Sequence, residues 1–279
     1  MQVERQILYQ PEEIAHSVKE KVRQAKEKGE PIDYLTFVPD GEPTLDINLG
    51  KEIELVKSLG LKIAVISNAS LIWRDDVRQD LQKADWVSLK VDAVSRQIWR
   101  RINRPQKLLK LERILDGMIN FANIFKGELT TESMLIRGIN DNGEEIERAA
   151  DFLAKLKPKA AYLAIPTRPP AVATITGASE QVINMAYQIF SKRLSNIEHL
   201  IGYEGNAFAC TGNAKDDLLS ITSVHPMREE AVTEFLKKAG AEWRVVDNLI
   251  KNGALVTLSY QGSRFYMRKL SSITGSPLP

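Results

Sequence analysis

The 279-residue sequence contains a single cysteine, Cys210. One thiol excludes a disulfide within the chain, and it excludes a zinc site or an iron–sulfur cluster held by several cysteines of this chain. The three histidines are dispersed along the sequence, so the pattern also predicts no metal site built on histidine.

Long apolar runs are absent as well. No segment reaches the ~18 consecutive apolar residues that span a bilayer, and the first residues are polar, unlike the core of a signal peptide. The composition, 43% hydrophobic and 27% charged, is typical of a globular protein and excludes collagen-like and disordered chains. We therefore expect a soluble, cytoplasmic protein of about two domains that makes no membrane contact.

The first two thirds of the sequence alternate between helical and extended patterns. A helix is predicted between Pro11 and Gly29, where apolar residues recur at helical spacing. Apolar strands are predicted at 32–38, 62–67, 86–91, 128–138, 160–166 and 197–203, and the helices between them at 49–59, 74–83, 95–125, 144–156 and 179–194. This alternation predicts an α/β fold of parallel strands joined by right-handed crossovers, either an open sheet or a full or partial barrel.

The pattern changes after residue 210. Three short helices are predicted at 216–222, 227–239 and 242–251, followed by the strands ALVTLSY and SRFYMRKL on either side of Gln261-Gly262. Three helices and a hairpin predict a small winged-helix-like domain. We accordingly expect a barrel domain at 1–210, a winged-helix-like domain at 213–270 and a flexible tail at 271–279.

Polar residues follow the predicted strands, at the end where α/β proteins bind ligands. The first strand leads into VPDGEPTL, in which Gly41 would let a ligand approach the backbone and Glu42 offers a carboxylate to an ammonium group. Pro43 stiffens the turn, and Asp40 adds a second carboxylate. A β-turn with surface acids accounts for the same residues.

The next two strands carry polar residues too. Ser67 and Asn68 end the second strand, where they also make a good turn. On the third strand, Ser88, Lys90 and Asp92 share one face, which costs desolvation unless they bind each other, water or a ligand. A structural Lys90–Asp92 network is the alternative.

The fourth and fifth strands complete the series. Gly138 could admit a flat ligand and Asn140 could hydrogen-bond its edge, although a turn before a helix explains both. Arg168 lies between prolines, and a stiffly held arginine suits a carboxylate or phosphate. Packing of a proline-rich loop is the alternative there.

The ordered series DGEPTL, SNAS, SLKVDA, NRP, LIRGIND and PTRPP resembles the radical S-adenosylmethionine (SAM) superfamily over residues 1 to about 205. The most similar group is a set of iron–sulfur oxidoreductases related to the wyosine-forming tRNA-modifying enzymes. The resemblance implies a partial (β/α) barrel, SAM as cofactor, and reductive cleavage of SAM to a 5′-deoxyadenosyl radical that abstracts hydrogen from a substrate.

The resemblance also implies a role for each matched position. Cofactor contacts are implied for Gly41, Glu42 and Pro43 (methionine amino group), Ser67 and Asn68 (methionine moiety), Lys90 and Asp92 (ribose), and Ile136 and Gly138 (adenine). Asp40 and Arg168 are weaker candidates for substrate contacts. Two positions depart from the family pattern, because Asp40 and Met134 stand where glycine is common.

A larger departure concerns the cluster. The family uses C-x-x-x-C-x-x-C, after its first strand, to hold a four-iron, four-sulfur centre, and this sequence has no such motif. We therefore expect that the segment with the first strand is missing, that a cluster belongs only to a longer form, and that the chain as given does not cleave SAM. The strand at 32–38 would then be a sheet edge, covered by a helix, a tail or a second subunit of a homo-oligomer.

Two other functions stay open from the residues alone. The chain could be a non-catalytic SAM-, nucleotide- or RNA-binding protein, with RNA held by the C-terminal basic residues Lys251, Arg264, Arg268 and Lys269. It could also be a barrel enzyme of unrelated chemistry that uses Asp40 and Glu42 as acid and base. The substrate cannot be read from the sequence.

Overall fold

The structure, a computed structural model, describes residues 3–38, 41–170, 172, 174–200, 205–206, 208–260 and 262–269. The predicted tail at 271–279 lies outside these residues. The chain divides into two compact units, one made of Met1–Arg23 and Pro31–Tyr203 and the other of Gln24–Glu30 and Glu204–Pro279. Among the described residues, every helix is too short or too polar to cross a membrane.

The described residues of the first unit form a six-stranded sheet whose strands follow one another in chain order and are all parallel. The strands are β1 (Tyr34–Phe37), β2 (Lys62–Ser67), β3 (Trp86–Lys90), β4 (Glu128–Met134), β5 (Ala160–Ala164) and β6 (Ile197–Leu200). The helices are α1 (Pro11–Glu27), α2 (Leu49–Lys57), α3 (Asp75–Leu81), α4 (Arg96–Asn103), α5 (Leu111–Ile124), α6 (Gly143–Leu156) and α7 (Glu180–Ser191). The predicted α/β fold with a parallel sheet is confirmed.

The core of this unit lies between the sheet and its helices. Ile63, Val65, Val87 and Leu89 point from the central strands into it and are fully buried. The opposite face of the same strands carries polar residues, Ser88 and Lys90 among them, as the two-residue period of a strand requires. The helices therefore cover the apolar face, and polar groups, themselves largely buried, lie on the other face.

The predicted helix at 95–125 is wrong in one respect, because the structure has two helices there. Helix α4 ends at Asn103, and the next residue, Arg104, has a left-handed backbone conformation with φ of 43°. Pro105 follows, and a proline both lacks a backbone N–H and disfavours helical geometry in the residue before it. The chain resumes as α5 only at Leu111.

The predicted strand at 128–138 is also too long. Strand β4 ends at Met134, and the chain then turns so that Arg137 N donates to Thr176 O at 3.0 Å and Ile136 forms an isolated antiparallel bridge with Gly177. The loop that follows begins α6 with Asn142, whose side chain accepts from Glu145 N and so caps the helix.

Strand β1 is an edge strand, and within the described ranges no strand pairs with its outer side. A cavity of 320 Å³ lies beside it. The walls come from α1, α2, β1 and the segment before α1, and include Leu8, Tyr9, Ile14, Val18, Leu35, Phe37, Leu49, Glu52 and Val56. The expected cover over this edge, a helix, a tail or a second subunit, stays a prediction.

From 205 onward, the described residues of the second unit form three helices and a three-stranded antiparallel sheet. Along the chain the elements are α8 (Ala214–Val224), β7 (Met227–Arg228), α9 (Glu229–Ala239), α10 (Arg244–Lys251), β8 (Leu255–Tyr260) and β9 (Ser263–Arg268). The strand order is β7-β9-β8. Its core consists of buried apolar side chains from all three helices and the sheet, including Leu218, Phe235, Val246, Leu255 and Phe265.

Candidate functional site

The loop after β1 is held to the end of β2 by the carboxylate of Glu42. Its Oε1 accepts hydrogen bonds from Thr44 N (3.2 Å), Thr44 Oγ1 (2.7 Å) and Ser67 Oγ (2.7 Å). Its Oε2 accepts one from Asn68 N at 2.7 Å. Burial raises the pKa of Glu42, although these four donors favour the charged form. Glu42 therefore joins two strand ends, a geometry ill suited to a free catalytic acid or base.

The turn after β2 is shaped by its own side chains. Ser67 Oγ, which donates to Glu42, also accepts from Ala69 N at 2.9 Å, and Asn68 Oδ1 accepts from Ser70 N at 2.9 Å. Ala69 has φ of 59°, a conformation that L-residues adopt at a cost, and is fully buried. The predicted pair Ser67 and Asn68 thus forms a tight polar turn in direct contact with Glu42.

The end of β3 carries a three-membered charge network. Lys90 Nζ lies 2.7 Å from Glu132 Oε1, on β4, and 3.6 Å from Asp92 Oδ1. Burial works against the charge on Lys90, but Asp92 and Glu132 outweigh it and raise its pKa. Burial also raises the pKa of Asp92, which Lys90 only partly offsets. Sequence reasoning found Lys90 and Asp92 but missed Glu132. Its position, two residues after Thr130 and so on the same face of β4, was the pattern that could have indicated it.

Asp92 also connects β3 to the segment after β4. Asp92 Oδ1 accepts from Met134 N at 3.0 Å, and no described residue donates to Asp92 Oδ2. The amide of Asn140 donates to the Asp92 carbonyl and to the Met134 carbonyl, both at 2.8 Å, while its Oδ1 accepts from Ile136 N at 2.7 Å. Asn140 is therefore occupied within the protein, which favours the alternative that it belongs to a structural turn.

The glycine positions differ in what they require. Gly138 has φ of 69°, where a side chain would be strained, whereas Gly41 has no such restriction. A Cβ added at either glycine would meet no atom within 4 Å. Open space therefore lies beside both backbones, and Ile136, two residues before Gly138, is buried.

A cavity of 250 Å³ opens at the ends of β2 and β3. Asn68, Lys90 and Asp92 contribute polar atoms to its wall, and α4 and α5 contribute most of the apolar side chains. These apolar and amide residues, which sequence reasoning missed, include Trp99, Asn103, Leu111, Ile114 and Met118.

The structure brings only some of the predicted site residues to this cavity. Asn68, Lys90 and Asp92 line it, whereas Glu42 and Gly138 do not; Glu42 is linked to the wall only by its hydrogen bond from Asn68 N. Arg168 follows β5 at the same end of the sheet, half-buried, but is not among the described residues that line the cavity. Asp40 lies outside the described residues.

Arg5 is a structural anchor of this end of the fold that sequence reasoning missed. Its side chain is 4% exposed and pairs with Asp76 (3.0 Å) and Asp80 (2.5 Å) of α3. It also donates to the carbonyls of Thr44 (2.9 Å) and Asp46 (2.6 Å). Arg5 thus fastens the loop that carries Glu42 to α3, and a lone arginine in a polar segment offered no signal of this.

Comparison with known proteins gives one family and several relatives. The model described as "Radical SAM superfamily" matches residues 3–153. The UPF0026 protein MJ1312 of Methanocaldococcus jannaschii is 46% identical over 272 residues, which cover 97% of this chain and 84% of that protein.

Two solved structures share the fold. SuiB of Streptococcus suis, solved bound to S-adenosylmethionine, aligns with a TM-score of 0.52 at 15% identity, over 68% of this chain and 43% of that one. TYW1, solved with a lysine-pyruvate adduct bound, aligns with a TM-score of 0.50 at 18% identity, over 67% of this chain and 64% of that one. At these identities the likeness establishes the fold alone.

Proposed function

The chain belongs to the radical SAM superfamily, and we propose that it binds SAM at the carboxyl ends of β1 to β4. The observation that carries the proposal is the juxtaposition of Asn68, Lys90 and Asp92 in one cavity, with Glu42 bonded to Asn68. Such convergent polar groups beside an apolar wall are typical of small-molecule sites. Bound SAM would supply the adenosyl group that radical SAM enzymes cleave from it.

The residues of this chain fit parts of SAM in order along the strand ends. The open backbone at Gly41 suits the methionine ammonium and carboxylate, and Glu42 keeps that loop in place. Asp92 Oδ2, which receives no hydrogen bond from the described residues, is available to a ribose hydroxyl, with Lys90 beside it. Ile136 and Gly138 would flank the adenine ring.

Calorimetric titration with SAM tests this assignment. We expect the chain to bind SAM with a measurable heat. Asp92→Asn or Lys90→Met should raise the dissociation constant for SAM at least about tenfold, because each removes one good charged hydrogen bond. Asp116→Asn is the matched control, because Asp116 is an exposed residue of α5 outside the cavity. A folded chain that gives no heat with SAM, or an Asp92→Asn variant that binds as the wild type does, would refute the proposal.

The residues of this chain do not fit a four-iron, four-sulfur cluster. Cys210 is the only cysteine and is buried, whereas such clusters usually take several thiolate ligands. Nowhere in the described ranges do three or more histidine, cysteine or carboxylate side chains gather as metal ligands would. The proposed role of these residues is therefore to bind and orient SAM.

The second unit supports a further structural proposal, that it is a winged helix. The support is its element order, helix, short strand, two helices and a hairpin, together with the strand order β7-β9-β8, in which the last strand is central. In that arrangement α10 and the hairpin follow each other directly along the chain.

A further inference from the structure

Basic residues predominate in the last elements of the second unit, whereas α8 and α9 carry both signs, with Lys215, Lys237 and Lys238 beside their acids. Helix α9 and the first turn of α8 carry five acids, Asp216, Asp217, Glu229, Glu230 and Glu234. From 243 to 269 there are five basic residues, Arg244, Lys251, Arg264, Arg268 and Lys269, and one acid, Asp247. We call the five basic residues, with the elements α10, β8 and β9 that carry them, the basic surface.

Helix α10 presents one polar stripe to solvent. Arg244, Asp247, Asn248 and Lys251 are all exposed and stand at positions i, i+3, i+4 and i+7, so they share one side of the helix. The buried residues Val246 and Leu249 lie on the opposite side. Packing therefore orients the helix so that its arginine, lysine and asparagine side chains, with Asp247 among them, are exposed to a partner.

The hairpin carries two arginines on a single face. Arg264 and Arg268 are exposed and stand two positions on either side of Tyr266, and in a strand alternate residues share a face. Tyr266 packs edge-on against Trp243, the residue before α10, with ring centroids 5.8 Å apart. This contact joins the beginning of α10 to the hairpin face that carries both arginines.

The cations of the basic surface differ in how far they are neutralised. Arg264 Nη1 lies 3.2 Å from Glu229 Oε2, so part of its charge is used within the unit. For Arg244, Lys251, Arg268 and Lys269, no ion pair occurs within the part of the chain that the structure describes. Four cations held by a folded framework and left unneutralised attract a polyanion.

We propose that the basic surface binds the phosphate backbone of a nucleic acid, with the polar stripe of α10 turned toward a groove. Arginine and lysine bind phosphate, and asparagine and arginine hydrogen-bond base edges. This inference is independent of SAM binding.

Fluorescence anisotropy with the full chain tests the proposal. The probes are labelled RNA duplex, DNA duplex and single-stranded RNA, each of about 20 nucleotides per strand, at about 50 and 200 mM KCl. We expect binding to weaken as the salt concentration rises. The double variant Arg244→Ala/Lys251→Ala should lose at least about tenfold in affinity, and the slope of its log binding constant against log salt concentration should be smaller by about 1 to 2. Whichever probe binds most tightly identifies the class of nucleic acid.

The matched control removes the same charge from other elements of the unit. Lys215→Ala/Lys237→Ala changes exposed lysines of α8 and α9 and should alter affinity less than about twofold. Arg244→Lys/Lys251→Arg keeps both charges and should retain binding, which separates loss of charge from loss of folding. Absence of binding to all three probes at low salt, or equal losses in the two alanine pairs, would overturn the proposal.

Discussion

Lys90 and Glu132 form an ion pair across neighbouring strands, with Lys90 Nζ 2.7 Å from Glu132 Oε1. The two side chains are 29% and 27% exposed, so water screens the pair only in part. Asp92, 1% exposed on the other side of Lys90, makes the ammonium the bridge between two carboxylates. The pair thus allows Asp92 to remain at the wall of the cavity beside a neutralising charge.

Glu132→Gln should destabilise the protein because it leaves Lys90 with one carboxylate partner where there were two. We expect a loss of about 1–2 kcal/mol in the free energy of unfolding, measured with urea, since the pair is only partly buried. Glu128→Gln, at the exposed start of the same strand, is the control and should change stability by less than about 0.5 kcal/mol. Equal losses in the two variants would show that the ion pair contributes nothing.

Gly41→Ala should separate ligand binding from stability. An added Cβ meets no atom within 4 Å and the backbone is not left-handed, so we expect the free energy of unfolding to change by less than about 0.5 kcal/mol. If SAM approaches this backbone, as proposed, the added methyl group should lower the affinity for SAM, measured by calorimetry, at least about tenfold.

Gly143→Ala is the control for that variant. Its Cβ would contact only Met185 Sδ, at 4.0 Å, and Gly143 lies at the beginning of α6, outside the cavity. Both its stability and its SAM affinity should match the wild type. Unchanged SAM affinity in Gly41→Ala would mean that the loop after β1 does not contact the cofactor.

Glu52 should make the protein less stable as the pH rises. It is 3% exposed, its Oε1 has no hydrogen-bond partner among the described residues, and burial together with the nearby Asp46 raises its pKa to about 7. The folded state therefore holds this proton more tightly than the unfolded state does. The stabilisation that protonated Glu52 gives the folded state is complete below about pH 4.5, and it is lost as the pH rises through about 7.

The variant Glu52→Gln, which cannot ionise, should remove this loss. We expect it to be more stable than the wild type at pH 8 by on the order of 1–3 kcal/mol, and to flatten the slope of stability between pH 5 and 8. Urea unfolding across that range measures both quantities. Glu54→Gln, an exposed position on the same helix, should leave the slope in place; a Glu52→Gln variant with the wild-type slope would contradict the assignment.

Local patterns predicted much of the first unit. The strands were located because apolar β-branched runs recur between helical segments, and β1, β2 and β3 were found to within two residues of their observed ends. The errors arose where a local break had no apolar signature. Arg104 and Pro105 divided a helix that the apolar spacing alone had continued, and the turn after Met134 ended a strand whose apolar pattern ran on.

The sequence by itself determined the order of the elements and the strand ends at which polar residues stand, because both depend on spacing along the chain. Only the tertiary structure decided which groups meet. Glu132 pairs with Lys90 because of the register of β3 against β4. The Asn140 amide donates its hydrogen bonds to the carbonyls of Asp92 and Met134. Hydrogen bonds and ion pairs between residues about forty positions apart depend on packing and burial, which no local pattern encodes.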